Sequence, residues 1–370
     1  MGTLTDYLDA IAPNLSPDLI SAEFRRRLSG IGQHFPDAIA SLVGFECRLA
    51  DPTPQADLFF RVSPETGGRD IVAGSEAVET QPQFYHLLAG YETIPSLDDE
   101  LIDHPIWQKI RQFCTQWSTP NTSFYDYIKD LWLEFDLDAE PPAIPIPSVF
   151  LGSSAIAHLS THLNPLLEHP LTSEKSQRIE RTLNALPKTA KLFQSGVLLS
   201  REPHNIRFYI SDISIQQICP YLDRIGWQGD RHQIAAILAF LSPGIKTTNL
   251  QIEIETDIAP TIAIECYLEN REAWKLFLEG LVKTGFCLPQ KRDAILSFGG
   301  LTREGDSPEN WPGTLRRRSQ LLGPGWESVL FRRLAYLKLI YRPGIPLEFK
   351  AYLGVQPGWI DTQSWGVKLE

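Results

Sequence analysis

Five times along this chain, two short strand-like stretches joined by a turn are followed by helical sequence, and most of those strands alternate polar and apolar residues. The clearest case is Asn205-Ile206-Arg207-Phe208-Tyr209-Ile210-Ser211, where odd positions are polar and even positions apolar. Strand side chains alternate between two faces with a period of 2. One face of each strand is therefore apolar and suited to meet helices, while the other carries charges and phenols. A helix-covered sheet of this kind has to put its polar face somewhere. A wide barrel with a wet or ligand-filled interior does so.

The strand pairs are expected at 41–49 with 57–62, 131–137 with 144–151, 196–200 with 206–213, 250–256 with 261–268, and 334–341 with 347–355. Pro141, Pro142, Pro145 and Pro147 demote the second strand of the second pair to an irregular or edge strand. Helical patterning covers 15–35, 82–92, 98–130, 172–192, 214–241, 271–284 and 289–297. Residues 299–326 are rich in Gly and Pro and read as a long loop or lid, with Arg316-Arg317-Arg318 solvated on it. The fold class is α/β: a ten-stranded antiparallel barrel built from five ββα units, helices outside, in a single domain over 1–370. Ten strands enclose more space than side chains alone fill, so a lumen is expected.

Composition narrows the partners. The chain has 370 residues, is 43% hydrophobic, and can bury a large core. A net charge of −11 speaks against nucleic acid and anionic membranes, both of which need a basic footprint. No apolar run approaches the ~18 residues that span a bilayer. The start, Met1 to Asp6, has neither the basic nor the apolar region of a signal peptide. Five cysteines without a CxxC suit a reduced, cytoplasmic setting.

With the apolar phase facing helices, the lumen receives Glu46, Arg48, Arg61, Trp132, Glu134, Asp136, Asn205, Arg207, Tyr209, Gln251, Glu253, Glu255, Glu265, Tyr267, Tyr336, Lys338, Glu348, Lys350 and Tyr352. Buried charges need partners or a ligand. Such a lining is either an ion-paired network or a polar binding site.

The fivefold αββα order resembles the ABBA prenyltransferase barrel, and most of all the indole prenyltransferases of the dimethylallyltryptophan synthase type. Gly44-Phe45-Glu46, Phe59-Phe60-Arg61 and Pro64-Glu65 resemble that family's opening hairpin, and Leu133-Glu134-Phe135-Asp136-Leu137 the start of its second. Arg207-Phe208-Tyr209, Glu265-Cys266-Tyr267 and Lys350-Ala351-Tyr352 resemble its basic-x-Tyr strands. The resemblance implies alkylation of an aromatic (indole-like or peptide) acceptor by a prenyl diphosphate, with no cofactor and no obligatory metal. Glu46 would then hold the acceptor as the catalytic residue. Arg61, Arg207, Lys338 and Lys350 would bind diphosphate. Tyr209, Tyr267 and Tyr352, with Trp132 as a further wall, would shield the allyl cation.

The sequence departs from that pattern in three places. Pro147-Ser148-Val149 stands at the family's Lys-x-Tyr of the second hairpin, Glu265 at a lysine position, and Asn205 at an arginine position. Acids outnumber cations in the lumen. An alternative is therefore acid–base chemistry, such as cyclisation or isomerisation, by Glu134, Glu253 and Glu265. A non-catalytic barrel that binds a small molecule or peptide is a third possibility.

Other motifs carry less. His158 and His162 have i, i+4 spacing, but Pro165 follows and no HExxH occurs, so packing is expected rather than a metal. No phosphate-binding glycine fingerprint and no GxSxG is present.

Overall fold

The apolar phase of the strands lies against helices, and the polar phase lines a closed ring. A computed structural model describes residues 2–74, 95–137, 143–153, 155–201 and 205–362. Its strands are β1 (Ala40–Arg48), β2 (Ala56–Val62), β3 (Asp130–Phe135), β4 (Ser148–Gly152), β5 (Lys191–Val197) and β6 (Ile206–Ser211). They continue with β7 (Thr247–Ile254), β8 (Ile258–Tyr267), β9 (Gly300–Arg303), β10 (Trp326–Tyr341) and β11 (Glu348–Asp361). Every neighbour in the order β1-β2-β3-β4-β5-β6-β7-β8-β10-β11 is antiparallel, and β11 returns to pair with β1. Ten strands thus close on themselves, with no free edge. The eleventh, β9, pairs with the first part of β10, outside the ring.

Burial follows the predicted phase. Phe45, Cys47, Phe60, Phe208, Ile252, Ile264, Leu337, Leu339, Ala351 and Leu353 are buried in one continuous core with the helices. The helix Pro105–Ser118 contributes Trp107, Ile110, Phe113 and Trp117 to that layer. Both buried indoles satisfy their N–H: Trp107 donates to the Pro145 carbonyl and Trp117 to the Ile128 carbonyl, each at 2.8 Å.

Local signals explain the departures from expectation. The stretch 98–130 forms three helices, Asp99–Asp103, Pro105–Ser118 and Ser123–Tyr127, because His104 and Thr122 cap new starts. The helix expected from 15 begins at Ala22, where Ser21 accepts from the Phe24 N–H. The prolines confine β4 to Ser148–Gly152. Residues 299–326 are not one long loop: they hold β9, a short 3-10 turn and the helix Gly313–Leu322. Arg316 on that helix pairs with Glu304 at 2.6 Å, and Arg318 lies over Trp359 at 5.6 Å, so the arginine run is engaged rather than solvated. The helix expected at 82–92 lies outside the described residues.

Antiparallel pairing gives the barrel two distinct ends. One, here called the mouth, gathers the starts of β1, β3, β5, β7 and β10 and the ends of the strands between them. The other is the floor. No described helix is long and apolar enough to cross a membrane.

Phe60 is fully buried where sheet and helix layer meet, with ring centroids 5.1 Å from Phe35 and 5.7 Å from Phe135. Phe60→Ala is expected to cost about 3–5 kcal/mol, read from the midpoint of a urea titration with little change in slope.

Candidate functional site

Toward the mouth, the lumen opens into a cavity of about 420 Å³. Its walls are mostly aromatic. Ring contacts run in a belt from Tyr267 to Tyr336 (5.2 Å), Tyr352 (4.3 Å), Phe59 (5.6 Å) and Trp132 (5.9 Å). Phe150 and Tyr209, 5.7 Å apart, continue the wall. Two glycines make room for the belt. A Cβ at Gly44 would meet the Phe59 ring at 2.2 Å, and one at Gly196 would meet the Phe150 ring at 2.1 Å. Phe193, 48% exposed, marks the opening to solvent.

Two acids face this cavity. Burial raises the Glu134 carboxyl above its ordinary value, with help from Glu46 and against Lys338 and Arg207. Burial also raises Glu265, although Lys338 and hydrogen bonds from Asn249 and Tyr267, both 2.9 Å, pull the other way. One cation lies behind the aromatic wall. Lys338 donates to the Tyr352 hydroxyl at 3.0 Å and the Tyr209 hydroxyl at 3.3 Å, and sits 5.2 Å from each ring centre.

The floor is built differently. Arg207 donates to Glu253 at 2.7 and 3.0 Å. Lys350 is ion-paired with Glu46. Arg48 lies 3.5 Å from both Asp57 and Glu348, and Arg201 grips Asp136 at 2.6 and 2.9 Å. Burial alone would raise the Glu46 carboxyl, but Lys350, Lys338 and Arg48 hold it below its usual value. Asp57 stands directly opposite Glu46 in register. Burial, then repulsion from Glu46, push its carboxyl up to about 8. Of the two, Asp57 is the one that keeps its proton to higher pH.

Of the residues singled out from sequence, Trp132, Glu134, Tyr209, Glu265, Tyr267, Tyr336 and Tyr352 line the cavity. The four cations do not share one place. Arg61 stands near the mouth, donating to Ser41 at 2.8 Å with its guanidinium 5.9 Å over Trp132. Lys350 is at the floor. Arg61 pairs with Leu42 and Lys350 with Arg48, so six residues of β1 separate their levels, roughly 20 Å at about 3.3 Å per residue. Arg207 is held by Glu253 with its guanidinium 5.8 Å over the Phe150 ring, and Lys338 is hydrogen-bonded to two tyrosines of the cavity wall. Glu46 sits below the cavity rather than in its lining, and Glu253 is spent on Arg207.

Sequence reasoning missed Asp57, Phe59, Phe150, Arg201 and Arg333. Asp57 and Phe59 share the phase of Arg61, so alternation could have found them. Arg201 lies beyond β5 and has no periodic signal. The rings of His158 and His162 stack 5.9 Å apart, and His162 contacts Ser123 at 3.3 Å.

No protein-family model matches the sequence, and no curated protein matches it. Among solved structures the chain is similar to the prenyltransferase PriB in its apo form, at 12% identity and a TM-score of 0.51, over 98% of this chain and 95% of that one. PriB in binary complex with product diphosphate aligns at 12% identity and 0.48, over 98% and 95%. AnaPT from Neosartorya fischeri aligns at 11% identity and 0.46, over 95% and 91%. At such identity the likeness is one of fold: the chain adopts the ABBA prenyltransferase-type barrel, ten antiparallel strands inside a layer of helices.

The Asp57 proton gives a pH signature. Its carboxyl titrates near 3.8 when unfolded and about 8 when folded. The folded state thus holds the extra proton between those values, and this group's contribution to stability falls as pH rises through that window. Thermal melts from pH 5 to 9 are expected to show Tm falling toward pH 8. Asp57→Asn, which mimics the protonated acid, is expected to flatten that fall.

Proposed function

We propose that this barrel is an aromatic prenyltransferase, joining an allylic diphosphate to an indole-like acceptor without an obligatory metal. The observation that carries the proposal is the cavity: an aromatic belt closed over Lys338, with Glu134 and Glu265 facing in. The fold shared with the prenyltransferase PriB supports the same reading.

The chemistry asks for three things. The C–O bond of the allylic diphosphate breaks with its electron pair leaving on diphosphate, which preorganised cations in a dry site favour. Lys338 supplies charge from behind the wall, and Arg61 from the mouth side. The allyl cation must then be kept from water and stabilised. The faces of Tyr209, Tyr352 and Phe59 do this, with Tyr267 and Trp132 beside them. Last, the acceptor ring attacks and loses a proton. Glu134 and Glu265 are the carboxylates in reach of the cavity, and their raised affinity for protons suits them as bases. Glu46 acts in this reading through Lys350, Asp57 and Glu134 rather than on the acceptor. Arg207 and Lys350 hold the floor together.

A second reading keeps the cavity and changes the reaction to acid–base cyclisation or isomerisation. Glu46, whose charge repels and so raises the carboxyls of both Asp57 and Glu134, favours it. The two readings part on diphosphate.

The test is incubation with dimethylallyl or geranyl diphosphate and indole or phenolic acceptors, with and without EDTA. Diphosphate release with alkylated product, unchanged by EDTA, is expected. Lys338→Ala is expected to slow release by about 10²-fold. A folded protein that binds no diphosphate in calorimetry overturns the prenyl-transfer reading.

A further inference from the structure

The rim of the cavity carries a cation that a strict period of 2 conceals. On β10, Tyr336 pairs with Tyr352, but Leu334 pairs with Leu353 and Arg333 with Gly354. Ala335 is the extra residue of a β-bulge, and a bulge reverses the phase of the strand beyond it. Arg332 consequently turns to the helix layer, where it donates to Thr302 at 2.9 Å and to the Phe298 carbonyl. Arg333 turns to the lumen, lines the cavity and remains exposed at its edge.

Its surroundings set it apart from the floor cations. Arg207, Lys350, Arg48 and Arg201 are each held by carboxylates. Arg333 has no carboxylate partner among the described residues. Arg61 stands on the same rim, three strand spacings and two residues away across β11 and β1, or about 16 Å along the sheet at ~4.8 Å per strand and ~3.3 Å per residue. The wall between them is low. Gly354 lies beside Arg333, and a Cβ there would find only Leu42, at 3.8 Å.

The geometry points to an anion-binding rim: Arg333, facing Arg61, takes the anionic head group of a ligand whose aromatic or prenyl body fills the cavity. Guanidinium suits this task because it binds carboxylate and phosphate oxygens bidentately. The head group is either the diphosphate of the prenyl donor or a carboxylate on the acceptor. The inference rests on the proposed reading of the cavity as the substrate site, and it adds the residue that orients the ligand there.

Calorimetry on the full chain separates the sources, with inorganic diphosphate, indole-3-propionate and neutral indole as probes. Arg333→Ala is expected to weaken one of the two anions by about tenfold or more while leaving indole unchanged. The anion that weakens names the source, and unchanged indole affinity also reports an intact cavity. Arg333→Lys keeps the charge without the fork. It is expected to retain most diphosphate affinity but to lose a bidentate carboxylate. Anion affinities equal in wild type and Arg333→Ala overturn the inference, as does a loss shared equally by indole, or a wild type that binds neither anion. Indole binding with anions indifferent to Arg333 removes the rim and leaves the cavity reading standing. Arg333-dependent anion binding without turnover keeps the rim and removes prenyl transfer.

Discussion

The barrel depends on one constraint: closing ten strands puts their polar faces where water is scarce, and buried charges must then find each other. Leaving one partner of a buried ion pair alone costs about 3–5 kcal/mol. At the floor the constraint is met within the ring, by Lys350 with Glu46 and Arg207 with Glu253. Register sets most of these pairs. Arg207 faces Glu253 across β6 and β7. Lys350 lies one strand from Glu46, beside Arg48. Where register opposes like charges, as at Glu46 and Asp57, a proton resolves the conflict.

At the level of Lys350 but under the cavity, Lys338 meets the same constraint with aromatic rings instead of counter-charges. Lys338 has two tyrosine hydroxyls and two ring faces around it, which satisfy an ammonium without neutralising it. Its field therefore reaches Glu46, Glu134 and Glu265 at once. The division of the lumen follows. The floor cations are neutralised by carboxylates within the ring, and the lysine under the aromatic chamber is surrounded by tyrosines instead. The glycines Gly44 and Gly196 belong to this design, because they let Phe59 and Phe150 lie across neighbouring strands.

Much of this was legible because a strand has only two faces. The alternation at 205–211 put Arg207 and Tyr209 inside, and the same rule placed Trp132, Glu134, Glu265, Tyr267 and Tyr352 around the cavity. The rule failed in two ways. It assigned apolar residues outward, so Phe59 and Phe150 were overlooked although their phase is that of the lumen. It also assumes an unbroken ladder, and the bulge at Ala335 breaks it, which hid Arg333. Glycine and proline misled over 299–326: there they mark the ends of β9 and of the helix Gly313–Leu322 rather than a loop.

The sequence by itself determined the ring, because five alternating hairpins interleaved with amphipathic helices have few other ways to cover one face and enclose the other. It also determined most of the side chains that enter the lumen, since period 2 leaves no third choice wherever the ladder is unbroken. Only the tertiary structure decided how those side chains divide. Whether a lumen cation is spent on an acid or left for a ligand depends on register across strands distant in the chain, such as β1 with β11. That is why Lys350 and Lys338, two inward lysines directly opposite each other, end up in different roles: one faces Glu46, the other two tyrosines.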